Sequence, residues 1–504
     1  MELEATEVRM PNRSRIVLAL LFLSPLASAQ EMHNHSAPEK LGKVSFPITC
    51  APAVQEPFNR GVALLHSFAY SDAEKAFHSV AEQDPRCAMA HWGMAMTYFH
   101  QLWEPLTPAT IPIAQKEILQ AQQIGASSER ERQFINALAL IYQDAATVPY
   151  RTRALNYEHA MADVAAENRK DVEAQVFYAL ALLATASPSD KTHANQKKAV
   201  ALLEPLDRAY PEHPGIPHYL IHACDNAELA PTGLPAARAY SHIAPSAPHA
   251  LHMPSHIFTR LGLWDDSITS NLAAREAAHQ QGDTHEELHA MDYLVYAYLQ
   301  SGRDEDAAQV IQQLKNMPKL NAGDPTIAYA STAMPVRYAV ERSQWADAAA
   351  IIPPTGAAPH VIATAVWARG IGLARTGHAT QAHTEIDRLQ QLEEQLRTSG
   401  NSYWATQVDI LRREVMAWCA QADGKPEEAA ALMLASADDE DAIEKLPVTP
   451  GPIVPAREQL GYLLLEQNHP APALKEFKTA LVNAPGRRGA LQGEAHAAEL
   501  SHQN

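Results

Sequence analysis

Three histidine pairs at i,i+4 spacing, His218/His222, His252/His256 and His285/His289, recur along this chain with offsets of 34 and 33 residues. Four residues along an α-helix is about one turn, so the two rings of a pair leave the same side and can reach one ion. Two copies extend the stripe with a carboxylate one turn on: His218, His222, Asp225 and His285, His289, Asp292 both read HxxxHxxD, whereas the middle copy has Thr259 there. Neutral imidazole suits Zn, Cu, Fe and Ni, and added carboxylates are compatible with Zn or with a mono- or dinuclear Fe or Mn centre. The expected site is therefore His218, His222, Asp225, His252, His256, His285, His289 and Asp292. It holds one or two transition-metal ions (Zn, Fe, Mn or Cu) between neighbouring helices, with at least three histidines as ligands.

The competing reading is that the histidines occupy a repeated packing position, where a polar ring tip is satisfied by any nearby carbonyl. Most such positions would equally accept Ala, Leu or Tyr, and three in-phase pairs on one face are harder to explain by packing than a lone histidine. The stretch His285-Glu286-Glu287-Leu288-His289 also matches the zinc-protease motif HExxH. The other two copies share its spacing without the glutamate, which argues against peptidase chemistry. Pro254, inside the middle pair, must kink its helix or begin it. His66, His91 and His100 follow no ligand template and read as groove or core residues, as do Met89, Met94 and Met96. His33 and His35 lie in a polar leader.

Helical segments must carry these pairs. Breaks fall at Asp84-Pro85, Pro211/Pro214 and Pro245/Pro248, where proline ends a helix and pushes the preceding residue out of the α region. A second type of junction recurs at Gly262, Gly302, Gly377 and Gly424, each a glycine after an apolar helix and before a short polar stretch. Near the C-terminus the pattern runs Gly461-Tyr462-Leu463-Leu464-Leu465, then Ala471, Ala473, Phe477, Ala480-Leu481 and Ala484-Pro485, with Asn468 at the turn.

These residues resemble the tetratricopeptide repeat (TPR) over most of residues 53 to 500. The resemblance implies an all-α, right-handed α-solenoid of TPR-like helical hairpins in which the first helix of each pair lines a concave groove. On that scheme, 217–225, 249–260 and 285–300 are first helices, and 236–243 and 266–279 are second helices. The expected organisation is a signal peptide over 1–29, a polar leader over 30–52, TPR-like hairpins over 53–210, histidine-rich repeats over 211–302 and further repeats over 303–504.

At 504 residues the chain exceeds one compact core, but a repeat array grows by nearest-neighbour packing. Lys and Arg total 40 against 58 Asp and Glu, a formal charge of −18, so an extended basic footprint for nucleic acid is not expected. Arg13 and Arg15, the apolar run Ile16 to Leu26 and Ala27-Ser28-Ala29 together read as a secretory signal cleaved near Gln30. No stretch approaches the ~20 apolar residues of a membrane span, so a periplasmic or secreted location is expected. In an oxidising compartment Cys50 and Cys87, which flank the first hairpin, are expected to pair, while Cys224 and Cys419 stay open between pairing and burial. Two functions follow: a metal centre in the groove, with Lewis-acid or redox capacity, or a metal-free scaffold that binds a peptide or protein partner.

Overall fold

The computed structural model of the chain describes residues 39–102 and 106–503. The signal segment, Gln30, His33 and His35 lie outside the described residues. Within the described part the chain is all-α: helices alternate as antiparallel pairs from Gln55–His66 with Tyr70–Gln83 to Ala456–Glu466 with Pro470–Asn483, and Arg488–Gln503 follows. No helix among these residues is long and apolar enough to cross a membrane.

The junction glycines do what their type allows. Gly262, Gly302, Gly377 and Gly424 have φ between 69° and 81°, and Asn468, which replaces glycine at the corresponding turn, has φ 59°. Asparagine is among the few side chains that tolerate this left-handed region. One packing device is used at both ends of the array. A Cβ on Gly61 or Gly93 would stand 2.7 or 2.4 Å from the Phe77 ring, and one on Gly461 or Gly493 would stand 2.6 or 2.3 Å from Phe477. The aromatic ring of a second helix is thus seated on the bare backbone of the first helices that flank it.

First helices pack on one another as an inner layer, with Thr284–Gln300, Pro325–Val340, Pro359–Arg375 and Ser402–Ala422 in succession. Irregular segments of the same chain fill this inner face. Phe46, from the leader, is fully buried among Phe58, Trp92, Phe134 and Phe177 with ring centroids 5.1 to 6.4 Å away. The leader is therefore anchored in the core by Leu41 and Phe46, with Val44, Ile48 and Cys50 packed against it, and Cys50 is bonded to Cys87. Farther along, residues 442–455 cross the inner layer as a strap. Glu444 N donates to Pro188 O at 2.8 Å, Leu446 N to the Tyr403 hydroxyl at 3.2 Å, and Tyr293 OH to Thr449 O at 3.2 Å. The C-terminal end also returns to the middle of the chain: Trp264 Nε1 donates to Gly486 O at 3.1 Å, and Arg487 is clamped between Glu341 and Glu458.

The sequence boundary at 210/211 falls inside one continuous apolar core that runs from Leu41 to Phe258. Leu203 and Ile216 both belong to it, because the repeat interfaces on either side of the proline break are equally apolar. The helices Gly215–Cys224, Ala230–Ile243, Trp264–Gln281 and Thr284–Gln300 also begin one to six residues earlier than expected, and the first of them ends before Asp225. Cys224 and Cys419 are free and buried.

Candidate metal centre

Pro254 splits the middle helix into Pro248–His252 and Pro254–Arg260, but Met253 between them stays right-handed helical at φ −53°, ψ −36°. The kink frees a backbone carbonyl, and Ser270 Oγ donates to Leu251 O there. The turn is thereby kept, and His252 and His256 still meet. Their Nε2 atoms are 3.0 Å apart, and those of His218 and His222 are 3.1 Å apart. The sequence left His249 unassigned, although it lies one turn before His252. It completes the first of two buried triads, His218/His222/His249 and His252/His256/His289, in each of which the three ligand atoms lie within 4.8 Å of one another. The triads are neighbours: ring centroids are 6.0 Å apart for His222 and His256 and 6.1 Å for His249 and His252.

In four of the six triad histidines the outer nitrogen is tied to a fixed acceptor. His218 Nδ1 donates to His66 O at 2.5 Å, His249 Nδ1 to Glu286 at 3.1 Å, His252 Nδ1 to Asn271 Oδ1 at 2.7 Å and His256 Nδ1 to Asp225 Oδ2 at 2.9 Å. The Asn271 orientation follows from its Nδ2, which donates to Ser267 O at 2.8 Å. Such outer bonds set the tautomer and leave the Nε2 lone pair directed inward, as in metal-ligating histidines. For His252 and His256 two lone pairs then oppose each other at 3.0 Å. That arrangement requires a proton or a cation between them. Burial opposes the proton, holding His218, His222, His249, His252 and His289 well below the ordinary histidine pKa. His256 is also lowered by burial, with Asp225 pulling the other way. Two nitrogens each about 2.0–2.1 Å from one ion are themselves about 2.8–3.4 Å apart at right-angle to tetrahedral geometry, so both inward pairs have suitable spacing.

Of the eight residues expected from sequence, five, His218, His222, His252, His256 and His289, are gathered in the triads. The remaining three are placed differently. His285 sits at the entry of its helix and bonds Asp324 Oδ2 at 3.0 Å; it is pushed up to about 9 because that bond and the charges of Glu286, Asp324 and Asp283 outweigh burial. It stands outside both triads. Asp292 faces Arg337 at 3.6 Å, and burial raises its pKa despite that cation. Asp225 lies outside the triads as the partner of His256; burial pushes its pKa up, but Lys445 at 2.7 Å and Arg260 at 2.8 Å prevail and hold it well below the carboxylate range. Asp225 therefore stays ionised. A helical stripe places Asp292 on the correct face but cannot say which neighbour it meets. Glu286, the second residue of the HExxH match, is spent on His249 rather than facing a reaction site.

His66 and His213 form a third buried group around Glu173, with Nε2 atoms 2.9 and 3.0 Å from its two carboxylate oxygens. Their other nitrogens are also occupied, His66 Nδ1 by Tyr219 OH and His213 Nδ1 by the N–H of Gly215. Every ring nitrogen here already has a partner, so this group is a support for the inner layer that carries the backbone oxygen bonded by His218.

The chain is thus an all-α array of helical hairpins around a histidine-lined centre. No family model and no curated protein matches it. Solved structures that align with it include the P58(IPK) TPR domain (13% identity, 90% of this chain and 99% of that one, TM-score 0.21). Human IFIT1 in a dimer with m7Gppp-AAAA aligns at 11% identity over 82% and 90% with TM-score 0.37, and yeast Tom70 at 11% over 89% and 88% with TM-score 0.32. Superpositions this loose say nothing of what the chain binds.

Proposed function

We propose that this protein is an exported metalloprotein that holds two transition-metal ions side by side, one in each three-histidine triad. The observation that carries this reading is the opposed Nε2 pair of His252 and His256, with both outer nitrogens tied to acceptors. A nitrogen-only ligand set of neutral imidazoles favours Cu or Zn over Ca or Mg, and the removal of all carboxylates to outer positions makes Fe or Mn a poorer fit than the sequence alone suggested. With three protein ligands each, the ions keep open positions for Lewis-acid or redox chemistry. Export is supported by the bonded Cys50 and Cys87.

The scaffold alternative needs an inner face free to receive a partner segment. Residues 442–455 lie across that face, bonded to Asp225, Tyr293, Arg337 and Tyr403, which disfavours it. Elemental analysis of protein purified from its native host tests the metal reading. The expected result is two Cu or Zn ions per chain; protein with full helix content and no stoichiometric transition metal overturns it.

A further inference from the structure

A second site is carried by a cavity of about 170 Å³ beneath the strap, on the C-terminal side of the histidine centre. It is smaller than the roughly 300–1,000 Å³ of pockets for drug-sized molecules, so its occupant has few heavy atoms. Aromatic side chains are among its lining residues. His360 stacks on Trp404 with centroids 4.2 Å apart and planes 16° apart, and Tyr403 stands edge-on to Trp404 at 5.1 Å. Trp367 Nε1 donates to Glu414 Oε2 at 2.6 Å, and Glu440 Oε2 accepts from Ala456 N at 2.8 Å.

The charges around the cavity are unevenly matched. Four cationic side chains line it, and all are engaged elsewhere: Lys191 with Glu444, Arg260 and Lys445 with Asp225, and Arg457 with Asp438, Asp441 and Glu476. Glu414 and Glu440 are left, among the described residues, without a lysine or arginine at ion-pair distance. Burial pushes the Glu414 carboxyl up to about 7 and holds Glu440 well above the ordinary carboxylate range, as expected of two nearby acids that lack a cation. His360 does not supply one, since burial lowers it to about 4. An incoming cation would stabilise the ionised form of these carboxyls and displace their protons, so a positive charge is held twice over, by the ring quadrupoles and by the carboxylates it creates.

We propose that this cavity binds a small organic ammonium ion, with its charged head against Tyr403, Trp404 and Trp367 and facing the carboxyls of Glu414 and Glu440. The site is separate from the histidine triads, so the test is run on the full chain with and without metal. Choline is titrated against tryptophan fluorescence and by calorimetry, in parallel with dimethylbutanol, its uncharged carbon isostere. Saturable binding of choline is expected, at least about tenfold tighter than the isostere, with Trp404→Ala and Glu440→Gln each weakening it about tenfold or more. Circular dichroism monitors folding, and Glu440→Gln carries the test if Trp404→Ala unfolds. Equal affinity for the two probes would make the cavity merely apolar and overturn the proposal, as would no binding of choline or an unchanged affinity in Glu440→Gln.

Discussion

His252 and His256 point their Nε2 atoms at each other across 3.0 Å while their Nδ1 atoms are held by Asn271 and Asp225. Asn271 is fully buried and hydrogen-bonds His252 at 2.7 Å, so it is a clean handle on the tautomer. Replacing Asn271 by Ala should weaken metal binding by about 10–100-fold, the usual effect of losing an outer partner of a metal-bound histidine. A chelator competition titration measures this, and an affinity equal to that of the parent protein would refute the role assigned to Asn271.

His249→Ala and His285→Ala separate the triads seen in three dimensions from the pairs read along the chain. His249→Ala should reduce the metal content from two ions to one. His285→Ala should retain both, because His285 is engaged with Asp324 outside the centre. Elemental analysis of the two variants, side by side, distinguishes them; the reverse pattern would restore the pair-based assignment.

His285 also predicts a pH dependence. Its folded pKa is raised from 6.5 to about 9, so the pair with Asp324 is fully stabilising below about 6.5 and is lost as the pH rises through about 9. The contribution is on the order of 1–3 kcal/mol, reduced by the partial exposure of the ring. Urea unfolding at pH 6 and pH 9.5 should show the loss in the parent protein and a flatter dependence in Asp324→Asn. Identical slopes for both proteins would contradict the assignment.

Phe46→Ala should destabilise the N-terminal half by about 3–5 kcal/mol, since it empties a site enclosed by four aromatic rings that cannot collapse into the gap. The Arg130 guanidinium, 4.1 Å from the Phe46 ring, loses its cation–π partner as well. Denaturant titration followed by tryptophan emission checks this; a change below about 1 kcal/mol would mean that the leader is dispensable to the core.

The Cys50–Cys87 bond closes a loop across the first hairpin, and replacing both residues by Ser should lower stability by about 2–4 kcal/mol. The parent protein treated with reductant should match the double variant in a thermal scan. If reduction leaves its midpoint unchanged, the bond is not stabilising.

Much of the architecture was legible because it rests on local rules. Glycine at 262, 302, 377 and 424 and asparagine at 468 mark left-handed turns that few other residues tolerate, and i,i+4 spacing puts two rings on one helical face whatever the helix packs against. The leader was misread because its single buried aromatic, Phe46, carries no periodicity; only the four surrounding helices give it a cavity to fill. His249 was missed for a similar reason. It breaks the four-residue pattern, and its partners His218 and His222 belong to another helix.

By itself the sequence determined the all-α hairpin array, its turns and the helical faces on which the histidines stand, since each depends on residues within a few positions of one another. Tertiary structure alone decided which histidines share a centre. It set His285 against Asp324 and brought His249 to His218. It also turned Asp225 from a prospective ligand into the ionised partner of His256, Arg260 and Lys445, the last of these 220 residues away along the chain. These outcomes depend on how the repeats curve and on where a distant strap crosses them, and such long-range geometry leaves no mark in local spacing.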